Sequence, residues 1–538
     1  MRVLKKQDKI ESVGGGFVSG VFILSLSTLI VKIIGLAFKI PMLSLLGMEG
    51  MGYFNSAYEI YALLCVISTA GLPVALSILV SASRAIDDDR RITGVYKTAV
   101  RLFFCLGAAG TLLMLAFAKP LSSWIGNDDA FYCILAIAPA LFFICLASAI
   151  RGYCQGFEDM KPTAISQLIE AVSKLLLGLL FASAGIKKGL SVPMVSALAV
   201  LGITVGTLLS LLFLSLVKRR GRLSQERFKA SEYQSYCKEL LKIAVPITLG
   251  SAVISLTRII DMAFIMRRLQ DVGISQFRAN EIYGAYTTLA LPVFALIPSL
   301  ITPISTALIP ELTVFIKKKN LAGQTACVEK ALRLTSLFAM PSSLAVTVFS
   351  RQILSILFKG QTEAVDIAAP LLSLLGASVL FSCLITTTNA ILQAYGCVRM
   401  PIFSMSVGVA VKAFSTYFLL GTEGVGVYGA PLGSLACNIT VVLLNFALIL
   451  RYAINSEKAV SVSRCFLKPF ASSVIAIGAS YAVYVWLSSS LSVSQTVSFL
   501  AAVITAVPLY FLLVFLLGAL SKEDIKLIPI MGKLIKEK

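Results

Sequence analysis

Long apolar stretches follow one another along the sequence and restrict its fold more than any other feature. An α-helix needs about 20 mostly apolar residues to cross a bilayer, and fourteen stretches between residues 17 and 518 meet this requirement. The chain is 57% hydrophobic and 14% charged over 538 residues, which is too little charge for a soluble protein of this length. The sequence therefore predicts an all-α integral membrane protein with about fourteen transmembrane helices.

The basic residues lie mainly in the short loops between these stretches. Most of the 47 Lys and Arg residues fall on one side of the membrane, and the positive-inside rule makes that side cytoplasmic. Both termini are then cytoplasmic. This distribution explains the net charge of +20 without nucleic acid as a partner. We predict a multi-pass protein of the plasma membrane that is embedded in the lipid bilayer.

One seven-residue phrase occurs twice, as KIIGLAF at Lys32–Phe38 and as RIIDMAF at Arg258–Phe264. Further matches share one offset with each other: Phe143 with Phe381, Lys161 with Arg399, and Lys174 with Lys412. Each copy contains six spans, so both copies have the same topology and should be related by an axis along the membrane normal. We predict two pseudo-symmetric six-helix lobes followed by two C-terminal helices.

The repeat and the loops divide the chain into six parts. These are a cytoplasmic tail (1–16), an N-lobe (17–217), a basic cytoplasmic linker (218–242), a C-lobe (243–451), the last two spans (452–518) and a cytoplasmic tail (519–538). The eighth span, 283–315, contains four prolines. Each proline removes a backbone donor, so we expect this helix to be bent or broken.

Several charged residues lie at membrane depth, where one charge costs roughly 2.5–3.5 kcal/mol and usually faces a bundle interior or a water-filled cavity. They are the cations Lys32, Lys39, Lys174, Arg258 and Lys412 and the carboxylates Glu59, Glu170, Asp261 and Glu311. The excess of cations predicts a positively charged central cavity for an anionic substrate. Our candidate substrate-binding residues are Lys32, Lys39, Glu59, Lys174, Arg258, Asp261 and Lys412.

Two pairs of these residues have a second interpretation. Glu170 and Lys174 are four residues apart on one helical face, and Arg258 and Asp261 are three apart, so either pair could be a structural ion pair.

Lys32 and Lys39 are two helical turns apart and share a face. Lys32 is too central in its span to reach the interface, whereas snorkelling towards the outer interface is an alternative for Lys39. Glu59 could pair with Lys39 or face the cavity as a protonatable group.

Catalytic, metal and nucleotide motifs are missing from the sequence. There is no histidine, the eleven cysteines are scattered without a C-x-x-C pair, and no G-x-x-x-x-G-K-[ST] loop occurs. We therefore predict a protein that is not an enzyme and that uses no metal, cofactor or nucleotide. The membrane potential, Na⁺ and H⁺ stay open as energy sources.

The segments Ala70–Ser77 and Arg151–Glu170 and the sequence around Lys32 resemble the stage V sporulation protein B group. This group belongs to the polysaccharide-biosynthesis branch of the multidrug/oligosaccharidyl-lipid/polysaccharide (MOP) flippase superfamily, and the resemblance extends over essentially the whole chain. It implies a MATE- or MurJ-like fold and a role in cell-wall or sporulation-associated synthesis. In the related MurJ-type flippases, cations of the first, second and eighth helices hold lipid pyrophosphate, and Lys32 matches the cation of the first helix.

The resemblance and the cations together imply a monomeric flippase for an undecaprenyl-pyrophosphate-linked glycan, such as lipid II. It would work by alternating access, with spans 13 and 14 forming a groove for the lipid tail. The alternative is a multidrug or organic-cation antiporter of the MATE branch, which would use Glu59, Asp261 and Glu311. A scaffold without transport activity is a third reading, but it leaves the charges at membrane depth unexplained.

Overall fold

The computed structural model describes residues 2–217, 228–397, 399–422, 424–452, 461–490 and 494–518. Nearly all of these residues are helical, and no β-strand occurs among them. The described residues contain 13 helices long and apolar enough to span a membrane, and the first of them, Ile30–Ala85, includes the second predicted span and the latter part of the first. The predicted all-α membrane fold is confirmed. The predicted tail 519–538 and linker residues 218–227 lie outside the described residues.

The chain forms two compact units, Met1–Thr288 and Leu289–Lys538. The first contains the helices α1 Arg2–Thr69, α2 Leu72–Ala85, α3 Asp89–Ala116, α4 Ala118–Ile125, α5 Phe131–Gly156, α6 Lys161–Lys187, α7 Val192–Val217, α8 Ala230–Asp271 and α9 Gln276–Ala285. The second contains α10 Leu291–Lys317, α11 Leu321–Leu357, α12 Thr362–Ala394, α13 Arg399–Leu420, α14 Gly429–Tyr452, α15 Lys468–Ser490 and α16 Gln495–Leu516. The division into repeat-based lobes stays a prediction, because a division by contacts does not test a sequence repeat.

Two breaks shape the first and second spans. Gly47 interrupts α1 with φ 66° and ψ −177°, a conformation that glycine adopts without a steric penalty. The break separates the part of the helix that carries Lys32 and Lys39 from the part that carries Glu59. A second break follows Thr69, and Pro73 then lies in the first turn of α2, where a proline costs no helical hydrogen bond.

The eighth span is irregular, as its prolines predict. A π-helical segment, Tyr286–Ala290, separates α9 from α10 and ends two residues before Pro292. We call Tyr286–Ala290 the π segment. The boundary between the two compact units falls inside it, after Thr288.

Helix α8 contacts the other helices of the first unit near both of its ends. Near its start, Glu232 and Glu239 form ion pairs with Arg90 and Arg91 of α3, at 3.1 and 2.9 Å. Near its end, Gln270 Nε2 donates to the Gly126 carbonyl at 2.9 Å. The linker predicted at 218–242 is thus not a loop over its last part. It is helical from Ala230 because these contacts extend the seventh span towards its N-terminus.

Buried amides attach α9 to the second span. Asn280 Nδ2 donates to the Glu49 carbonyl at 2.8 Å, and Asn127 Nδ2 donates to Asn280 Oδ1 at 2.9 Å. Asn127 also donates to Ser56 Oγ at 3.1 Å. Because Asn127 and Asn280 are almost completely buried, these bonds fix the position of α9 and of the π segment that follows it.

Helices α6 and α7 approach each other at two glycines. A Cβ added at Gly202 would lie 2.5 Å from the backbone nitrogen of Gly178 and 2.6 Å from its Cα. We expect Gly202→Ala to lower the free energy of unfolding by about 1–3 kcal/mol, because the two helices must move apart. Thermal denaturation in detergent measures this effect. Gly478→Ala is the control, since nothing lies within 4 Å of a Cβ at Gly478. Equal denaturation temperatures for both variants would contradict the close approach.

Candidate functional site

Six of the seven candidate residues lie in the first unit, on three helices. Helix α1 carries Lys32, Lys39 and Glu59, α6 carries Lys174, and α8 carries Arg258 and Asp261. The charge of Lys39 interacts with those of Lys174, Glu59 and Arg258, and Lys32 interacts with Arg258. Asp261 and Glu59 both interact electrostatically with the hydroxyl group of the buried Tyr283. The structure therefore brings these residues together, although the sequence separates them by more than half the length of the unit.

Lys39 contacts a backbone carbonyl. Its Nζ donates to the carbonyl oxygen of Thr287 in the π segment at 2.6 Å, and Thr287 is buried. The ammonium is therefore directed towards the π segment and does not snorkel to the interface. The predicted alternative of a Lys39–Glu59 pair is replaced by this bond.

Lys174 lies among aromatic rings. Its Nζ is 5.1 Å from the ring centre of Phe38, 5.8 Å from that of Phe54 and 4.8 Å from that of Tyr58. An ammonium over an aromatic face gains a cation–π attraction, which strengthens as water is excluded. Lys174 thus keeps its place in the bundle without an ion pair of the predicted kind.

Glu170 forms its ion pair with Arg151 of α5, between Nη2 and Oε2 at 3.0 Å. Arg151 also donates to Ser166 and Ser210 at 3.0 Å each, so its guanidinium joins α5, α6 and α7. The ion pair that the structure shows for Glu170 is therefore with Arg151, and not with Lys174 as the spacing suggested. Arg151 was not predicted as a site residue because it stands at the end of its predicted span, where a long cationic side chain can reach the membrane interface. Its position along the sequence alone does not distinguish it from such a cation.

Arg258 contacts Glu59, with Nη1 and Oε2 3.9 Å apart. The Arg258 side chain is 57% exposed, whereas that of Glu59 is 14% exposed, so the guanidinium is accessible while the carboxylate lies inside the bundle. The ion pair observed for Arg258 is therefore with Glu59, and not with Asp261 as the spacing suggested. Lys32, which interacts with Arg258, is exposed.

These residues form a group that we call the charge cluster: Lys32, Lys39, Glu59, Arg151, Glu170, Lys174, Arg258 and Asp261. It holds more cations than carboxylates. Among the residues that the structure describes, Lys32, Lys39 and Lys174 form no ion pair with a carboxylate. The cluster therefore contains three lysines without a direct ion-pair partner, and its cations outnumber its carboxylates.

Two residues considered from the sequence lie in the second unit. Lys412, which the repeat matches with Lys174, is buried in α13 with 6% exposure, and its role in substrate binding stays a prediction. Glu311, a carboxylate considered for the antiporter alternative, forms an ion pair with Lys330 at 3.4 Å.

The helices described above define a multi-pass membrane protein, and its fold is shared by a solved transporter of the MOP superfamily. A family model described as "polysaccharide biosynthesis protein" matches residues 17–315, more than half of the chain. The chain belongs to the polysaccharide biosynthesis protein family.

Two relatives come from Bacillus subtilis (strain 168). Stage V sporulation protein B is 25% identical over 528 residues, which cover 96% of this chain and 99% of the relative. Lipid II flippase MurJ is 25% identical over 478 residues, which cover 85% of this chain and 87% of the relative. The resemblance noted in the sequence is confirmed by these matches.

Two solved structures share the fold. One is lipid II flippase MurJ in an inward closed conformation, with a TM-score of 0.69 and 17% identity over 91% of this chain and 98% of that one. The other is an inward-facing multidrug resistance MATE family transporter of the MOP superfamily. Its TM-score is 0.65 and its identity 15%, over 80% of this chain and 100% of that one. At such identities the likeness concerns the fold.

Proposed function

We propose that the chain moves an undecaprenyl-pyrophosphate-linked glycan, such as lipid II or a related polysaccharide precursor, from the inner to the outer leaflet of the plasma membrane. The observation that carries the proposal is the charge cluster, in which three lysines form no direct ion pair with a carboxylate among the described residues. Ammonium and guanidinium groups bind phosphate oxygens through short charge-assisted hydrogen bonds. A pyrophosphate has several such oxygens and can contact more than one of these cations.

The relatives support the choice of substrate class. The family description names polysaccharide biosynthesis, and one relative that aligns with 85% of this chain is a lipid II flippase. A precursor of this type joins a sugar headgroup to a long isoprenoid through phosphate groups. A membrane protein that handles it needs a place for the charge and another for the lipid.

An apolar cavity of about 600 Å³ in the second unit supports the second requirement. It lies between α11 and the last two helices, α15 and α16, and is lined by residues such as Phe338, Phe349, Phe499, Val503 and Phe511. The Tyr510 hydroxyl donates a hydrogen bond to the Leu337 carbonyl at 2.7 Å. Its polar group is therefore satisfied, and its apolar ring lines the cavity. We assign this cavity to part of the lipid tail, in agreement with the groove predicted for spans 13 and 14.

The membrane potential supplies a direction for the transport. With the cytoplasm negative, each negative charge moved outward gains about 2.3 kcal/mol per 100 mV. After release of the anion, the same field draws the empty positive cluster back inward. Alternating access driven in this way needs no nucleotide.

The antiporter alternative requires carboxylates that can take an organic cation. Glu59 and Glu311 already face Arg258 and Lys330, at 3.9 and 3.4 Å. An incoming cation would have to displace these partners, whereas an incoming anion meets lysines that form no direct ion pair among the described residues. The charges therefore favour the flippase.

The direct test replaces Lys32 in a flipping assay with lipid II in proteoliposomes. We expect Lys32→Ala to lower the flipping rate by about tenfold, the value of one charge-assisted hydrogen bond to phosphate. Lys32→Arg keeps the charge and should keep most of the activity. Full activity of Lys32→Ala would remove Lys32 from the site, and export of ethidium in place of lipid II flipping would support the antiporter.

A further inference from the structure

The carbonyl of Thr287 has no backbone donor in the π segment. A π-helical register pairs the carbonyl of residue i with the N–H of residue i+5. For Thr287 this residue is Pro292, which has no N–H. In an α-helical register the donor would be the N–H of Leu291. The π register and the proline together therefore leave this buried carbonyl dependent on a side chain.

Lys39 supplies the missing hydrogen bond. Its Nζ lies 2.6 Å from the Thr287 oxygen, from a helix that is distant in sequence. Neighbouring side chains hold the segment in place around this bond. Thr287 Oγ1 donates to the Tyr283 carbonyl at 2.7 Å, and Asn55 Nδ2 donates to Thr288 Oγ1 at 2.9 Å. The ammonium of Lys39 is thus part of the helical structure of the π segment.

The same ammonium belongs to the charge cluster, where it interacts electrostatically with Lys174, Glu59 and Arg258. A phosphate bound there competes with the Thr287 carbonyl for Lys39, because an anionic oxygen is the stronger acceptor. We propose that Lys39 couples anion binding to the helical register of the π segment. When phosphate takes the ammonium, the Thr287 carbonyl turns to the N–H of Leu291, and the π register is lost at that residue.

This coupling rests on the proposed function for the identity of the anion, the pyrophosphate of a lipid-linked glycan. It adds a means by which binding of the headgroup alters the backbone. The altered residues lie where the first compact unit ends along the chain and the second begins. A ligand that changes the register there acts on the segment of chain joining the two units.

Hydrogen–deuterium exchange of the full chain in nanodiscs tests the coupling, using peptides that cover residues 283–295. The probes are undecaprenyl pyrophosphate and, in a second arm, inorganic pyrophosphate, and binding of each is measured separately. Binding and the Lys39→Met substitution both release the Thr287 carbonyl from Lys39. The carbonyl can then bond the Leu291 N–H only if the π-helical bond of that N–H breaks, so the segment opens more easily. We therefore expect each to speed exchange in the π segment by about tenfold, and binding to add nothing further in Lys39→Met. Lys39→Arg should respond to the probe as the natural chain does.

Pro292→Ala provides the matched background, because it gives residue 292 an N–H for the Thr287 carbonyl. In this background Lys39→Met should leave the exchange of the π segment nearly unchanged. Equal effects of Lys39→Met with and without Pro292 would overturn the coupling, and this comparison needs no ligand. A natural chain that binds the probe with unchanged exchange would also overturn it, while leaving the proposed function intact. Absence of binding by either probe would count against the proposed function instead.

Discussion

Replacing Lys32 and Lys174 together by Gln should weaken binding of undecaprenyl pyrophosphate by about 10²-fold or more. Each ammonium can give the phosphate a charge-assisted hydrogen bond worth roughly 1.5–3 kcal/mol, and the losses should nearly add if the two lysines contact different oxygens. Lys32 is exposed and Lys174 is held by aromatic faces, so neither substitution leaves a hydrogen-bond acceptor unsatisfied. Equilibrium binding to the purified protein in nanodiscs measures the loss, and the single variants should each account for about half of its free energy.

The control for this prediction removes the same amount of charge at another place. Lys187 and Lys188 are exposed at the end of α6, away from the aromatic rings around Lys174. Their double replacement by Gln should leave the affinity within about twofold of the natural chain, because exposed charges in water are well screened. If both double variants bind equally, the effect is one of net charge and the charge cluster is not the binding site.

The fold could be predicted largely from the sequence because the bilayer restricts the possible structures so strongly. Apolar stretches of sufficient length must be helical in lipid, where each backbone group needs an internal partner. The described helices account for all fourteen predicted stretches. The helical start of α8 at Ala230 was missed, since its polar residues give no apolar signal and their partners lie on α3.

Most members of the charge cluster could be predicted from the sequence, with Arg151 as the exception, but their pairings could not. The free-energy cost of placing a charge at membrane depth pointed to Lys39, Glu59 and Arg258 without knowledge of the fold. Spacing along one helix suggested ion pairs within that helix, whereas the observed partners lie on different helices, as with Glu59 of α1 and Arg258 of α8. The bond from Lys39 to Thr287 could not be foreseen, because a π segment leaves no periodic pattern in the sequence.

Replacing Arg151 by Met should destabilise the first unit more than any other single change considered above. It leaves the Glu170 carboxylate without its ion pair and takes a donor from Ser166 and Ser210. Breaking a buried pair on one side costs about 3–5 kcal/mol, and we expect about 2–4 kcal/mol here because the Glu170 side chain is 27% exposed. Thermal denaturation in detergent should show a lower transition temperature, accompanied by weaker ligand binding because α6 also carries Lys174.

The double variant Arg151→Met/Glu170→Gln separates the charge from the packing. If the cost arises from an uncompensated carboxylate, removing that charge should restore much of the lost stability, since a pair replaced on both sides is often neutral. The exposed pair Arg351–Asp366 is the matched control, with side chains 65% and 49% exposed. There Arg351→Met should cost at most about 1 kcal/mol, as for surface ion pairs in general. Equal losses for Arg151→Met and Arg351→Met would mean that Arg151 does not owe its importance to burial, and its role in holding α5, α6 and α7 together would have to be abandoned.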